Sequence, residues 1–257
     1  MLTELRVPVA PDSIAAQARL VLADPGFEAA KACFCAGVTD VFARHRTMAR
    51  IVNDAGNYGA LAVLVAAQAG GGESWVPTRD IIAIVGRGAY ISERRLTRLI
   101  ARCADLGILT IRRDPGDGRV RMIRANAPIM DFFADWHAAH LAPLALLADG
   151  PGPQPSHASA ALWQMIVVAL KRQHDYSLVT PFPDIAELMR HARGYLAMLT
   201  LTLTPGTSAR AVAQRFGTSE TQARYMVQLV AELGTGCRDQ WFATEIGFSA
   251  LVGANCG

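Results

Sequence analysis

The stretch SERRLTRLIARCADLG, residues 92–107, limits the fold more than any other part of the chain. Helical spacing lines up Leu96, Leu99, Ile100 and Cys103 on one stripe. Arg94, Arg98 and Arg102, at i, i+4 and i+8, fall on the opposite stripe with Arg95 beside them. Ser92 has the chemistry of an N-cap and Gly107 that of a C-terminal stop. A helix of this kind must lie on a surface, with one face in a core and a row of guanidinium groups outside.

Its neighbours sharpen the reading. Upstream, a helix is predicted from Thr78, as N-cap, to about Val85, followed by a turn containing Gly86 and Gly88. Downstream, Ile108–Arg113 and Arg119–Ile123 are short β-branched or apolar runs laced with arginine. They flank Asp114-Pro115-Gly116-Asp117-Gly118, which predicts a β-hairpin. Helix, turn, serine-capped helix and hairpin together outline a winged helix-turn-helix. The net charge is only +3, but Thr78–Asn126 holds eleven arginines against five acids, a net +6 that leaves the rest of the chain at −3. A localised basic face of this kind is the footprint of an anionic polymer.

In that arrangement the helix enters the major groove of duplex DNA. Arg94, Arg95, Arg98 and Arg102 reach guanine edges or phosphates there, and the Ser92 N–H favours a phosphate. Arg119, just past the turn, is the candidate minor-groove probe, oriented by Asp117, while Arg112, Arg113 and Arg121 lie along the strands near phosphates. The competing reading is a solvated arginine-rich surface with Arg98 or Arg102 ion-paired to Asp105.

LTRLIARCADLGILTIRRDPGDGRVRMI resembles the recognition helix and wing of MarR-type winged-helix transcriptional regulators. Asp114-Pro115-Gly116-Asp117-Gly118-Arg119 matches the family's Asp-Pro-x-Asp-x-Arg wing pattern. The likeness covers residues 57–147. It implies a DNA-binding repressor or activator, a homodimer joined through terminal helices, and a pocket for a small-molecule effector near the dimer-helix junction.

Elsewhere the chain reads as helical, its many alanines suiting helix-on-helix packing. Residues 1–11 read as an irregular arm, followed by a helix capped by Ser13. A helical pattern runs from Phe27 to about Asn53, with Phe34, Val38, Val41 and Phe42 on its apolar face, and another from Asn57 to Ala69 stops at Gly70-Gly71-Gly72. A further helix starts at Asn126–Pro128 and continues to about Leu147. The Pro/Gly-rich run at 149–156 predicts a linker between an N-terminal domain (1–148) and a second domain (157–257), with helices at 158–173 and 184–203.

Ser208–Gly234 repeats the register of Thr78–Gly107. Ser219 matches Ser92, Leu233-Gly234 matches Leu106-Gly107, and Ala223, Met226, Val227 and Val230 fill the apolar slots. The predicted class is therefore mainly α with small β-hairpin wings, in tandem winged helix-turn-helix modules. The second hairpin is expected within Arg238–Val252, with Trp241, Phe242 and Phe248 in place of arginines. From Ser208 onward acids and arginines balance; this module reads either as a packing and dimerising element, the favoured reading, or as a polar base reader through Thr221, Gln222, Arg224 and Gln228.

Five cysteines without disulfide-like spacing, and no signal pattern at the N-terminus, predict reduced thiols in a cytoplasmic protein. The longest apolar run is too short for a bilayer, so no membrane partner is expected. His137 and His140 lack the companions of a metal site, and no nucleophile–base pair, nucleotide fingerprint or cofactor motif is legible. A non-enzymatic regulator of transcription is the function expected. The alternatives are a plasmid-type replication initiator, in which both modules touch DNA, and a winged-helix scaffold for an acidic protein.

Overall fold

The pattern at Phe27–Asn53 is realised as α2 (Phe27–Arg44), a break at His45, and the short α3 (Arg46–Ala49). Phe34, Val38 and Val41 are fully buried and Phe42 nearly so, as the apolar spacing requires. The computed structural model describes residues 11–69, 75–86, 91–148, 181–191 and 193–254. The arm at 1–10, the glycine run at 70–72, Gly88, the 149–156 linker and the helix expected at 158–173 lie outside the described residues. Before α2 comes α1 (Pro11–Ala23); Ser13 sits inside that helix and does not cap it.

Next come α4 (Ala55–Ala69), β1 (Val76–Pro77), α5 (Thr78–Gly86), α6 (Glu93–Asp105), β2 (Leu109–Arg113), β3 (Arg121–Ala125) and α7 (Ala127–Leu141), which ends in a 3-10 turn at Ala142–Leu146. The strands form one antiparallel sheet in the order β1-β3-β2, with Val76 opposite Ile123 and Ile111 also opposite Ile123. Pro77 lacks an N–H and sits on the edge strand, where none is needed. The sheet is anchored at its inner end, where Ala125 N–H donates to the buried Gln68 Oε1 of α4 at 2.7 Å. Asn126 Nδ2 donates to Gly107 O at 2.8 Å, joining the end of the hairpin to the end of α6.

The later residues form α8 (Pro183–Arg190), α9 (Gly194–Leu203), α10 (Ala209–Phe216), α11 (Glu220–Glu232) and α12 (Gly234–Ala254). The single helix expected over 184–203 is thus two. Arg193 takes a left-handed φ of 69°, and a Cβ on Gly194 would lie 2.0 Å from Leu188 O, so the chain must bend there.

The second hairpin, expected in 238–252, is not formed: that segment is the interior of α12. Trp241, Phe242, Ala243 and Ile246 are all buried. Their strand-like composition is overridden by tertiary burial, since α12 packs along α1 so closely that a Cβ on Gly247 would meet Ala18 N at 3.1 Å. One continuous apolar core draws on residues from Ala18 to Ala250. Phe132 and Phe133 of α7 are at its centre, and Gly37 of α2 allows Ala139 to approach. Among the described residues no helix is long and apolar enough to cross a membrane.

Candidate nucleic-acid interface

α6 is built as its sequence dictates. Ser92 Oγ accepts from Arg95 N–H at 3.4 Å at the N-terminus, and Leu96, Leu99, Ile100 and Cys103 are buried. Gly107, with φ 68°, turns the chain into β2, and Ile108 N–H donates to Cys103 O at 2.8 Å. The opposite face carries Arg94, Arg98 and Arg102, all exposed. Among the described residues none of these three guanidinium groups forms a hydrogen bond or ion pair, and Asp105 pairs with neither Arg98 nor Arg102.

Arg95 is different. Its Nη2 lies 2.5 Å from Asp54 Oδ2 and 3.3 Å from Asn57 Oδ1. Asp54 Oδ1 also accepts the N–H groups of Gly56 and Asn57 at the start of α4. Arg95 therefore ties the first turn of α6 to the first turn of α4, and its charge is matched by a carboxylate.

The hairpin divides its arginines in the same way. Asp114 Oδ1 accepts Gly116 N–H at 2.7 Å and Asp117 N–H at 3.0 Å, which shapes the turn. Asp117 Oδ1 accepts the backbone N–H of Arg119 at 3.0 Å, so it orders the chain and leaves the Arg119 guanidinium alone. Arg113 Nη1 donates to Gly118 O at 2.6 Å and braces the turn from one strand. Arg112 and Arg124 flank the Trp75 ring, their guanidinium carbons 4.0 and 5.0 Å from its centre. Arg119 and Arg121 are exposed, with no side-chain partner among the described residues.

Arg113 and Arg121 stand opposite each other in the ladder. Like charges in that position repel unless an anion lies between them. Thr78 is the first residue of α5 and does not cap it; its hydroxyl donates to Arg121 O at 3.0 Å and pins α5 to the hairpin.

Of the nine residues expected from the sequence, five thus present cations without a side-chain partner among the described residues: Arg94, Arg98, Arg102, Arg119 and Arg121. Ser92, Arg95, Arg112 and Arg113 hold the scaffold that displays them. Sequence reasoning missed Trp75, Asp54 and Asn57. The Asp54-x-x-Asn57 spacing at a helix start carried a capping signal, but nothing local linked it to Arg95.

α10 and α11 repeat the backbone devices of the first helix pair. Ser219 Oγ accepts from Gln222 N–H at 3.2 Å, α11 is 13 residues long like α6, and Gly234 has φ 66°. Ala223, Met226 and Val230 are buried in the slots of Leu96, Leu99 and Cys103. The outer face differs, because its polar groups satisfy one another. Arg224 pairs with Glu220 at 2.6 Å, Gln228 donates to Glu232 at 2.8 Å, and Gln222 accepts from Thr218.

A separate polar group lies deep between the helices. His137 and His140 are buried, and burial pushes each down to about 3. Glu245 of α12 is pushed up to about 7, also by burial. Glu245 Oε2 lies 4.0 Å from His140 Nε2. Between about pH 3 and pH 7 both groups are neutral, so this approach is not an ion pair.

No family model, curated protein or solved structure matches the chain.

Proposed function

We propose that residues 55–125 form a winged helix-turn-helix module that binds duplex DNA and that the protein regulates transcription in the cytoplasm. The observation that carries this reading is the division of labour among the arginines. Acids, carbonyls and an aromatic ring hold Arg95, Arg112 and Arg113 in place, while Arg94, Arg98, Arg102, Arg119 and Arg121 have no side-chain partner among the described residues. Cations without such a partner suit phosphates and base edges arriving from outside. The helix order, with a short strand before the helix pair and a hairpin after it, supports α6 as the groove-entering helix and the 114–120 turn as the wing.

In this reading α10 and α11 form a wingless helix-turn-helix whose self-paired outer face does not read DNA. Selection of bound fragments from a genomic library, followed by footprinting, is the test. Recovery of discrete promoter-proximal sites that Arg98→Gln abolishes is the expected result. Failure of the intact protein to retain any duplex at low salt overturns the reading.

A further inference from the structure

The strand register sorts the arginines of the hairpin onto two faces. Ile111 and Val76 are both opposite Ile123, so these three share the face that packs on α4 and α5. Arg113 and Arg121, opposite each other two positions further along, lie on that helix-side face. The alternate residues Thr110, Arg112, Met122, Arg124 and Pro77 make up the outer face, which within the strands carries no acid. Trp75, half-buried and one residue before β1, lies on the outer face, where Arg112 and Arg124 come over its ring at 4.0 and 5.0 Å.

The ring holds Arg112 without neutralising it. Asp54 supplies Arg95 with a full negative charge, whereas a π face supplies only a quadrupole. Contact through the guanidinium face also leaves the N–H edge available for a phosphate fork. Arg112 is exposed, and among the described residues its guanidinium forms no hydrogen bond or ion pair. A long exposed side chain ordinarily loses rotamer freedom when it binds, and the ring removes part of that cost beforehand. A hairpin inserted in a minor groove about 6 Å wide has a sugar–phosphate ridge on either side, so both of its faces meet phosphates.

We propose that Trp75 is a positioning residue for duplex binding. It holds Arg112 so that the outer face of the wing grips one phosphate ridge while the helix-side face, with Arg121, meets the other. The ligand of Arg112 is a backbone phosphate. The inference rests on the duplex-binding reading and adds a residue that contributes through Arg112.

The test is a double-mutant cycle on binding to a short duplex of arbitrary sequence, read as a function of salt. Arg112→Gln is expected to lower the slope of log K against log salt by about 0.9 and to weaken binding about 8-fold at 0.1 M salt. Trp75→Leu weakens binding about 3-fold, and Trp75→Phe, which keeps a π face, restores most of that loss. In the Arg112→Gln background Trp75→Leu costs nothing further. A ring that only stabilised the sheet would weaken binding equally in both backgrounds, and that result refutes the positioning role. If Arg98→Gln lowers the slope while Arg112→Gln leaves it unchanged, the inference is refuted and the duplex-binding reading stands. If the wild-type protein binds no duplex at low salt, both are refuted.

Discussion

Acidification tests how the core is assembled, because three buried groups pull stability in opposite directions. His140 Nδ1 donates to Trp136 O at 2.8 Å, which leaves Nε2 unprotonated and facing Glu245. The two histidines have folded values near 3 against an ordinary 6.5, so between those limits the unfolded chain binds protons that the fold refuses. Stability therefore falls as pH drops from 6.5 through 3, by about 1.4 kcal/mol per unit for each histidine. Glu245 acts the other way. Its folded value near 7 against 4.5 means that the fold keeps a proton the unfolded chain releases. Its contribution is fully present below 4.5 and is lost as pH rises through 7, about 3 kcal/mol in all.

Between pH 4.5 and 6.5 one histidine offsets the glutamate, and the net slope is about +1.4 kcal/mol per unit. Below 4.5 it steepens to about 2.7 kcal/mol per unit. Urea unfolding across this range is the assay. In Glu245→Gln the carboxyl contribution disappears, so the slope between 4.5 and 6.5 doubles and the variant gains stability relative to wild type above pH 7. A Glu245→Gln curve parallel to wild type would show that Glu245 does not titrate in the buried site described here.

Three further outcomes follow from the same contacts. Arg95→Gln leaves the salt slope of duplex binding unchanged, because Asp54 already neutralises Arg95, whereas Arg98→Gln lowers it by about 0.9; paired salt titrations distinguish them. Asp54→Ala, which leaves the Gly56 and Asn57 N–H groups at the start of α4 unsatisfied, costs about 1 kcal/mol in denaturant unfolding. Gly194→Ala forces a Cβ against the Leu188 carbonyl and abolishes the bend at 191–194, so it lowers the melting temperature far more than Gly217→Ala, whose site has open space and only an unfavourable φ of 61°.

The sequence was most informative where local chemistry decides the structure. The apolar stripe of α6, its serine cap, the Gly107 stop and the Asp-Pro-Gly-Asp-Gly turn are each specified within a few residues, and the hairpin register follows from its turn. The repeat at Ser208–Gly234 was legible for the same reason. What failed was decided at long range. The 238–252 segment carries aromatic and β-branched residues that suit a strand, yet α1 offers it a groove that only a glycine-bearing helix can fill. Arg95 reads as a member of the basic row until Asp54, 41 residues away, is found beside it. Trp75 gave no signal before two strands carried Arg112 and Arg124 over its ring.

The central claim, that α6 and the hairpin together form the duplex-binding face, is tested most directly by hydrogen exchange of the full chain with and without a short duplex at low salt. Protection concentrated at residues 92–106 and 109–124, with 220–232 unchanged, is the predicted result. Protection confined to 220–232, or none anywhere, would contradict it.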